Sequence, residues 1–280
     1  MRYLILLVLS APFALVAQNN LDDAYLAFAD ENYEHTIELV SVILENEKLA
    51  EGYILRADAL HKQSNFINAL ADYDFAEKLG YSEGDLFQNR GICRSSLGMY
   101  DAAEKDFWRH LEVHPKNAKS HYYLGVIDYM NGLMKDAIEH LDYALKFDAD
   151  FMPSWYLKGA VYSEMGSYKK ANKCYEKAAE LEPAYHRIKM NIAILHLEQM
   201  QYEDAEFILS ELILSDESLT AEVFYYRGES RHFQKNHVGA CEDWTEAAAL
   251  GDDDAQANYD RICVKGKANV KKKKRVYAEF

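Results

Sequence analysis

The sequence predicts an all-α fold built from a repeated helical unit, and two observations lead to this prediction. Small residues recur at intervals of 33 to 35 residues along most of the chain. Within one interval, bulky and small side chains lie three or four residues apart, as on one face of a helix. The composition agrees, because only 4 of 280 residues are proline and 49% are hydrophobic. The recurring small residues are Ala24, Ala57, Gly91, Gly125, Gly159, Ala193 and Gly228.

The repeated unit is clearest in residues 155–183, which predict a helical hairpin. Trp155, Gly159 and Tyr162 share one face of a first helix, and a Met-Gly-Ser turn follows. A second helix repeats the spacing until Pro183 prevents its continuation. One hairpin cannot bury its apolar face alone, so neighbouring hairpins are expected to stack.

This pattern resembles the tetratricopeptide repeat family, and the resemblance covers residues 18–251 as seven repeats. It implies a right-handed α-solenoid superhelix of helical hairpins, with the first helix of each pair lining a concave face. We expect residues 252–263 to form a capping helix, because the last repeat needs a polar cover. The residues that carry the resemblance in one unit are Trp155, Gly159, Tyr162, Gly166, Tyr168, Ala171, Tyr175, Ala178 and Pro183.

The N-terminal residues 1–17 are typical of a signal peptide. Arg2 precedes an apolar run that ends in small residues at Ala17, and the run is shorter than the roughly twenty residues that span a bilayer. The alternative is an uncleaved N-terminal anchor. We therefore expect an exported protein, periplasmic or secreted.

Residues 264–280 are predicted to be a basic flexible tail. They carry a charge of +6, whereas the whole chain carries −15, which leaves −21 on the remainder. Such a tail suggests an anionic partner, either a membrane or another envelope surface, and export makes nucleic acid the weakest candidate. The alternatives are a solvated extension and a tail that folds back on the acidic solenoid. The tail residues proposed for an anionic surface are Lys271, Lys272, Lys273, Lys274 and Arg275.

Three arginines and three aspartates occur together in the same repeats, and we interpret them as structural ion pairs. Each arginine directly precedes a small residue, and the aspartate follows sixteen residues later on the second helix. The other four repeats lack both residue types at these positions. The predicted pairs are Arg56 with Asp72, Arg90 with Asp106, and Arg227 with Asp243.

A second stripe of each first helix is apolar and rich in tyrosine and methionine, and the family resemblance makes this stripe the concave one. Exposed apolar surface of this kind marks interaction sites. No basic residue occurs in its two central columns, which disfavours a clamp for acidic C-termini. A protein or peptide segment is therefore the expected partner, and the alternative is that this face closes on itself or pairs two copies in a homodimer. The predicted groove residues are Tyr25, Phe28, Asp58, His61, Tyr122, Tyr129, Tyr156, Met190, Leu197, Tyr225 and His232.

The sequence contains no phosphate-binding loop, no GxSxG motif and no HExxH motif, so we expect no enzyme, no cofactor and no metal. His110 and His114 could share a metal by spacing, but His110 belongs to a packing column. The predicted function is a non-enzymatic protein–protein interaction scaffold. The alternative is a cell-envelope assembly or anchoring factor that uses the basic tail.

The four cysteines are too few for a disulfide framework. Cys93 and Cys174 belong to repeats that are far apart in the stack. Cys241 and Cys263 lie on the last repeat and the adjacent cap, so either a disulfide or two buried thiols fits the sequence.

Overall fold

The computed structural model describes residues 21–83, 85–215, 220–267 and 269–278, and these residues form helices and connections without a β-strand. The predicted signal peptide at residues 1–17 lies outside them. No helix in the described ranges is both long enough and apolar enough to cross a bilayer. The helices are α1 (21–29), α2 (Tyr33–Asn46), α3 (Ala50–Lys62), α4 (Phe66–Lys78), α5 (Leu86–Ser96), α6 (Tyr100–Val113), α7 (Ala118–Met130), α8 (Met134–Phe147), α9 (Met152–Glu164), α10 (Tyr168–Leu181), α11 (His186–Glu198), α12 (Tyr202–Ser215), α13 (Ala221–Phe233), α14 (His237–Ala249) and α15 (Asp253–Asn258).

The turn between the two helices of each repeat contains one residue in the left-handed region, with φ between 58° and 76°. Such a residue stops the first helix and reverses the chain within two or three residues. Glycine adopts this conformation without strain, whereas other residues adopt it at a cost. The residues at this position are Glu31, Ser64, Gly98, Gly132, Gly166, Met200 and Lys235.

The seam between the helices of a hairpin is formed by the small column and a column of large aromatic residues. Gly159 lies against Tyr175, and a Cβ added to this glycine would be 2.6 Å from the tyrosine ring. Gly228 lies equally close to Trp244, with 2.8 Å to the indole nitrogen. Both aromatic side chains are fully buried. The helices therefore approach closely where the small residues permit it, and this confirms the predicted hairpin.

The described chain divides into two compact units, one ending at Ile127 and the other beginning at Asp128. In the first unit, α3 packs on α4 and α5 packs on α6, around fully buried Tyr73 and Phe107. In the second unit, α9 packs on α10, α11 on α12, and α13 on α14. Each unit is thus built from helical hairpins, as the α-solenoid prediction requires.

The segment after the last hairpin contains the short helix α15, whose first turn is capped by Asp252. The Asp252 carboxylate accepts hydrogen bonds from the backbone N–H groups of Asp254 and Ala255, both 3.0 Å. A π-helical turn, Tyr259–Val264, extends α15. The helical cap therefore ends one residue beyond the predicted boundary at 263.

Candidate functional site

The C-terminal residues 271–277 lie in an extended conformation on the second unit, and we call them the tail segment. They contact one face formed by α11, α13 and α15, which we call the docking face. Successive residues of an extended chain point to opposite sides. The side chains of Lys271, Lys273, Arg275 and Tyr277 point toward the face. The residues of the docking face are Asn191, Glu198, Tyr225, Glu229, Asp252, Asp254 and Asn258.

Two side chains of the docking face hold the backbone near Lys271. The Asn258 amide accepts a hydrogen bond from the Lys271 N–H at 2.6 Å and donates one to the Lys271 carbonyl at 3.1 Å. The Tyr225 hydroxyl donates to the same carbonyl at 2.7 Å and accepts from the Lys273 N–H at 2.9 Å. Because these bonds involve backbone groups, any non-proline residue in the bound segment can form them.

A third backbone contact lies four residues beyond Lys273. The Asn191 amide nitrogen donates to the Tyr277 carbonyl at 2.7 Å. The same nitrogen lies 3.2 Å from the Tyr156 hydroxyl and 3.3 Å from the Tyr175 hydroxyl. These neighbours orient the Asn191 amide, so the docking face contacts the extended backbone at both ends of the tail segment.

Four carboxylates of the docking face pair with the cations of the tail segment. The Lys271 ammonium lies 2.6 Å from Asp254, and the Lys273 ammonium lies 2.5 Å from Asp252. The guanidinium of Arg275 donates to Glu198 at 2.9 Å. It also forms a two-bond pair with Glu229, at 2.9 and 3.1 Å. A bidentate pair of this kind is stronger and more directional than a single contact.

Aromatic rings flank the same cations. The Lys273 ammonium lies 5.3 Å from the centroid of the Tyr225 ring, and the Arg275 guanidinium carbon lies 4.8 Å from that of Tyr226. Burial opposes the charge on Arg275, but Glu229 and Glu198 outweigh it and raise the pKa of the guanidinium. Burial also raises the pKa of the Tyr225 hydroxyl, with Glu229 adding to the effect. The tyrosine therefore stays protonated and can donate its hydrogen bond.

The exposure of the tail segment alternates. From Lys272 onward, the inward side chains of Lys273 and Arg275 are 28% and 10% exposed and Tyr277 is 7% exposed, whereas Lys272, Lys274 and Val276 are exposed. Lys271, at the start of the segment, is exposed as well. For residues 271–277 the structure therefore agrees with the alternative in which the tail folds back, and the basic flexible tail stays a prediction for the rest of 264–280. The structure also pairs Lys271, Lys273 and Arg275 with carboxylates of the same chain, although the Lys271 side chain stays 55% exposed. The physical reason is the acidic body, which offers carboxylates at the spacing of an extended chain.

The predicted groove residues of the second unit are less exposed than the sequence suggested. Tyr225 is fully buried beneath the tail segment, and Tyr156 is 7% exposed between the rings of Tyr175 and Tyr185. Met190 and Leu197 are buried as well. The predicted apolar stripe is therefore not exposed to water in the second unit, because neighbouring helices and the tail segment cover most of it.

The remaining two predicted residues of this unit lie away from the tail segment. The Tyr129 hydroxyl donates to Glu164. His232 is buried beside His237 and Trp244, and it lines a cavity of about 750 Å³ next to Cys241 and Cys263. Neither residue joins the docking face.

In the first unit, the predicted groove residues mostly have internal partners. Asp58 accepts hydrogen bonds from the Tyr73 hydroxyl at 2.5 Å and from Asn89 at 3.0 Å, and burial raises its pKa. The His61 ring lies 3.4 Å from the sulfur of Cys93. The Phe28 ring packs edge-on against Tyr33, and that of Tyr122 against Tyr123. Tyr25 remains 45% exposed.

All three predicted ion pairs are present within single repeats. Arg56 bonds Asp72 at 2.7 and 2.9 Å. Arg90 bonds Asp106 at 2.9 and 2.7 Å. Arg227 bonds Asp243 through three contacts between 2.6 and 3.2 Å. These six side chains lie within the hairpin seams, so they hold the scaffold together and leave the docking face to other residues.

A second arginine, which the sequence pattern did not predict, joins the ion pair in two of these repeats. Arg94 reaches Asp106 at 2.7 Å, and Arg231 reaches Asp243 at 3.0 Å. Each lies four residues after the first arginine, on the same helix face. Lys158, which stands in the arginine column of its repeat, pairs instead with Asp142 of the preceding hairpin. The i, i+4 spacing to the first arginine was the sequence feature from which Arg94 and Arg231 could have been predicted.

The last hairpin and the cap are joined by a disulfide between Cys241 on α14 and Cys263, with the two Cα atoms 6.0 Å apart. The sequence had left this bond open. Cys93 and Cys174 are buried free thiols, and burial raises the pKa of Cys174 to about 11. The disulfide holds the cap on the repeats, and the cap supplies Asn258, Asp252 and Asp254 to the docking face.

Comparison with known proteins agrees with this architecture. Two tetratricopeptide repeat family models match the chain, one over residues 81–150 and another over residues 153–185. The chain therefore contains tetratricopeptide repeats over these residues. Proteins of this family act generally in protein–protein interaction, and the tetratricopeptide scaffold is generally non-catalytic.

Solved tetratricopeptide repeat structures share the fold. A protein from Parabacteroides merdae ATCC 43184 superposes with a TM-score of 0.64 at 16% identity, covering 85% of this chain and 94% of its own. The C-terminal part of a TPR repeat-containing protein from Cytophaga hutchinsonii also reaches 0.64, at 17% identity, covering 85% of this chain and 98% of its own.

A curated relative is similar in sequence over most of the tetratricopeptide region. The mouse (Mus musculus) DnaJ homolog subfamily C member 7 is 26% identical over 244 residues, or 86% of this chain. The match covers 43% of that protein, so this chain spans less than half the length of the curated relative it matches.

Proposed function

We propose that this protein is a non-enzymatic scaffold that binds an extended polypeptide segment of a partner protein on the docking face. One observation carries the proposal: the face already holds an extended segment through backbone hydrogen bonds from Asn258, Tyr225 and Asn191. Backbone recognition of an extended chain supplies affinity that depends little on sequence, and side-chain contacts then supply specificity.

The proposed groove combines tyrosine rings with carboxylates. The sequence favoured an apolar, tyrosine- and methionine-rich groove, and the buried Met190, Tyr156 and Leu197 support apolar surroundings for it. The carboxylates Glu198 and Glu229 add a charged component that pairs with Arg275. We therefore propose a groove with an apolar surround and an acidic lining.

Export remains part of the proposal. The N-terminal pattern of Arg2, an apolar run and Ala17 supports it. The Cys241–Cys263 disulfide supports it as well, because disulfides persist in oxidising compartments outside the cytosol. Cell fractionation with intact-mass measurement of the recovered protein tests this: the exported form should lack residues 1–17 and resist alkylation at Cys241 and Cys263 without reductant.

A displayed library of random peptides tests the binding function. Peptides are enriched on a Lys271→Ser, Lys273→Ser chain, whose own tail segment holds the face less tightly. They should lose at least tenfold in affinity when Tyr225→Phe and Asn258→Ala are added, because about 1.4 kcal/mol of backbone hydrogen bonding corresponds to that factor. Asn172→Ala is the matched control, since this amide bonds Glu176 within its own helix. Peptides that bind all three proteins equally would contradict the assignment of the docking face.

A further inference from the structure

We propose that the partner segment is basic, with cations at alternate positions and an aromatic residue two positions after the last cation, and that the tail segment is its intramolecular competitor. This inference rests on the proposed function and names the chemistry of its partner. The pattern that fits the face is cation, any residue, cation, any residue, arginine, any residue, aromatic.

The burial of the carboxylates requires a cationic occupant. The Glu229 side chain is 1% exposed and that of Asp252 is 3% exposed when the tail segment is in place. A neutral or acidic segment in the same position would bury Glu229 without a counter-charge. It would leave Asp252 with only the backbone N–H groups of Asp254 and Ala255, and a buried charge without a counter-charge is strongly unfavourable. Any segment that covers this face must therefore bring positive charge to these two positions.

The geometry also selects the order of the cations. Lys271 and Lys273 each meet one aspartate, whereas Arg275 meets Glu198 and Glu229 together and lies over the ring of Tyr226. A planar guanidinium can satisfy two carboxylates and pack on an aromatic face at once, which an ammonium does less well. The third inward position is thus specific for arginine, and the first two accept lysine.

The fourth inward position fits an aromatic side chain. Tyr277 is the most buried residue of the tail segment, and its carbonyl accepts the hydrogen bond from Asn191. In contrast, Lys272, Lys274 and Val276 are exposed and lie on the opposite side of the extended segment, so the face sets no requirement at these positions. Lys271 is exposed too, but it pairs with Asp254. Four inward residues therefore define the recognition pattern, and the intervening residues are free to vary.

The tail segment occupies the face in the same molecule, so a partner competes with a tethered ligand. A short tether gives an effective concentration in the millimolar range. A free peptide therefore binds the intact chain more weakly than a chain whose tail has lost its inward cations. This competition makes the inference measurable on the full-length protein.

The test compares two full-length variants that lose the same charge. Lys271→Ser with Lys273→Ser removes two inward cations, and Lys272→Ser with Lys274→Ser removes two outward ones. The probes are fluorescein-labelled peptides: a basic one, VKSKSRSYA, and a neutral one, VSSSSSSYA. Fluorescence anisotropy at 50 and 300 mM salt measures their binding, and hydrogen exchange of residues 269–278 verifies that the tail of the inward variant has opened.

We expect the basic peptide to bind the inward variant about tenfold more tightly than the outward variant, with affinity that falls at high salt. Adding Glu229→Gln to the inward variant should remove most of this binding. Equal binding of the basic and neutral peptides would overturn the charge pattern but leave the proposed function standing. Binding of neither peptide to an opened face would count against the proposed function itself.

Two further outcomes bear on the competitor. Equal affinity of the basic peptide for both variants, with the inward tail shown to be open, would overturn intramolecular competition. Light scattering during size-exclusion chromatography should find a monomer. A dimer that dissociates on adding the basic peptide would instead identify the tail of a second copy as the occupant.

Discussion

The guanidinium of Arg275 and the carboxylate of Glu229 form a two-bond ion pair between residues 46 positions apart, at 2.9 and 3.1 Å. The glutamate is nearly inaccessible to water when the tail segment is docked. This pair links the extended tail segment to helix α13. Glu198 joins the pair at 2.9 Å, so the guanidinium is held by two carboxylates from two helices.

Replacing Arg275 with alanine should release the tail segment. Charge-assisted hydrogen bonds contribute about 1.5–3 kcal/mol. Once the tail segment detaches, water reaches Glu229, so no additional penalty for a buried charge arises and the loss of docking free energy should stay in that range. We expect exchange of the Lys271 and Lys273 amides to accelerate by roughly tenfold or more. Hydrogen exchange with mass spectrometry measures this, and Lys274→Ala, an exposed neighbour, should leave the rate unchanged. An unaltered rate in the Arg275 variant would show that the backbone bonds alone hold the segment.

Replacing Arg90 with methionine should destabilise the first unit by about 3–5 kcal/mol, because it leaves Asp106 buried with a reduced counter-charge. The Arg90 and Asp106 side chains are each 2% exposed. Arg56→Met, at a pair whose arginine side chain is 23% exposed, should cost less. Urea unfolding followed by circular dichroism compares the two. Adding Asp106→Leu to Arg90→Met should recover part of the loss, and a further loss would contradict the ion-pair interpretation.

Replacing Gly159 with alanine should destabilise the second unit by about 1–3 kcal/mol, through overpacking against the ring of Tyr175. The new Cβ would lie 2.6 Å from that ring. Gly52→Ala is the control, because its tightest contact would be the flexible end of Leu44, at 3.1 Å, while the helix gains about 1 kcal/mol in propensity. Thermal unfolding should separate the two variants, and equal melting temperatures would refute the close approach at Gly159.

Reduction of the Cys241–Cys263 disulfide should lower the stability of the second unit by about 3 kcal/mol, the value typical for a loop of this size. It should also raise hydrogen exchange in α15 and in the tail segment, because the cap supplies Asn258. The measurement is thermal unfolding with and without dithiothreitol. A Cys241→Ser, Cys263→Ser variant should begin at the lower stability and show no response to reductant.

Mild acid should destabilise the first unit. Burial lowers the pKa of His61, His110 and His121, in His61 with added repulsion from Lys119. The unfolded chain binds protons more readily at these positions than the folded chain does. The free energy of unfolding is therefore at its full value above the unfolded histidine pKa of about 6.5, and it declines as the pH falls below that value. Melting temperatures measured from pH 7.5 to 5.5 should therefore decrease. Replacing the three histidines with glutamine should flatten this slope, and a slope that persists would assign it to other groups.

The hairpins and their ion pairs were predictable because each signal recurs. A small residue facing an aromatic one, as at Gly159 and Tyr175, appears in repeat after repeat, and arginine and aspartate appear or vanish together. A pattern that recurs in several repeats can be recognised in the sequence alone. The second arginines, Arg94 and Arg231, were missed because only two repeats contain them.

The docking of the tail segment was not predictable in the same way. Residues 271–275 are all basic, so their sequence does not reveal which alternate set points inward. The matching carboxylates come from three elements, at Glu198, Glu229 and Asp252, and only folding brings them together. The predicted exposure of Tyr156 and Tyr225 was wrong for a related reason, since helix periodicity identifies a stripe but not what covers it.

The left-handed turn residues have a consequence for how the stack opens. The three central turns contain glycine, whereas the first two and last two contain Glu31, Ser64, Met200 and Lys235 in the same backbone conformation. A side chain there costs roughly 1–2 kcal/mol, and in a repeat stack this cost falls on the repeat that contains it. Fraying should therefore begin at the ends. The tail segment contacts α11, α13 and α15 together. A segment bound on the docking face should therefore stabilise the C-terminal repeats against fraying.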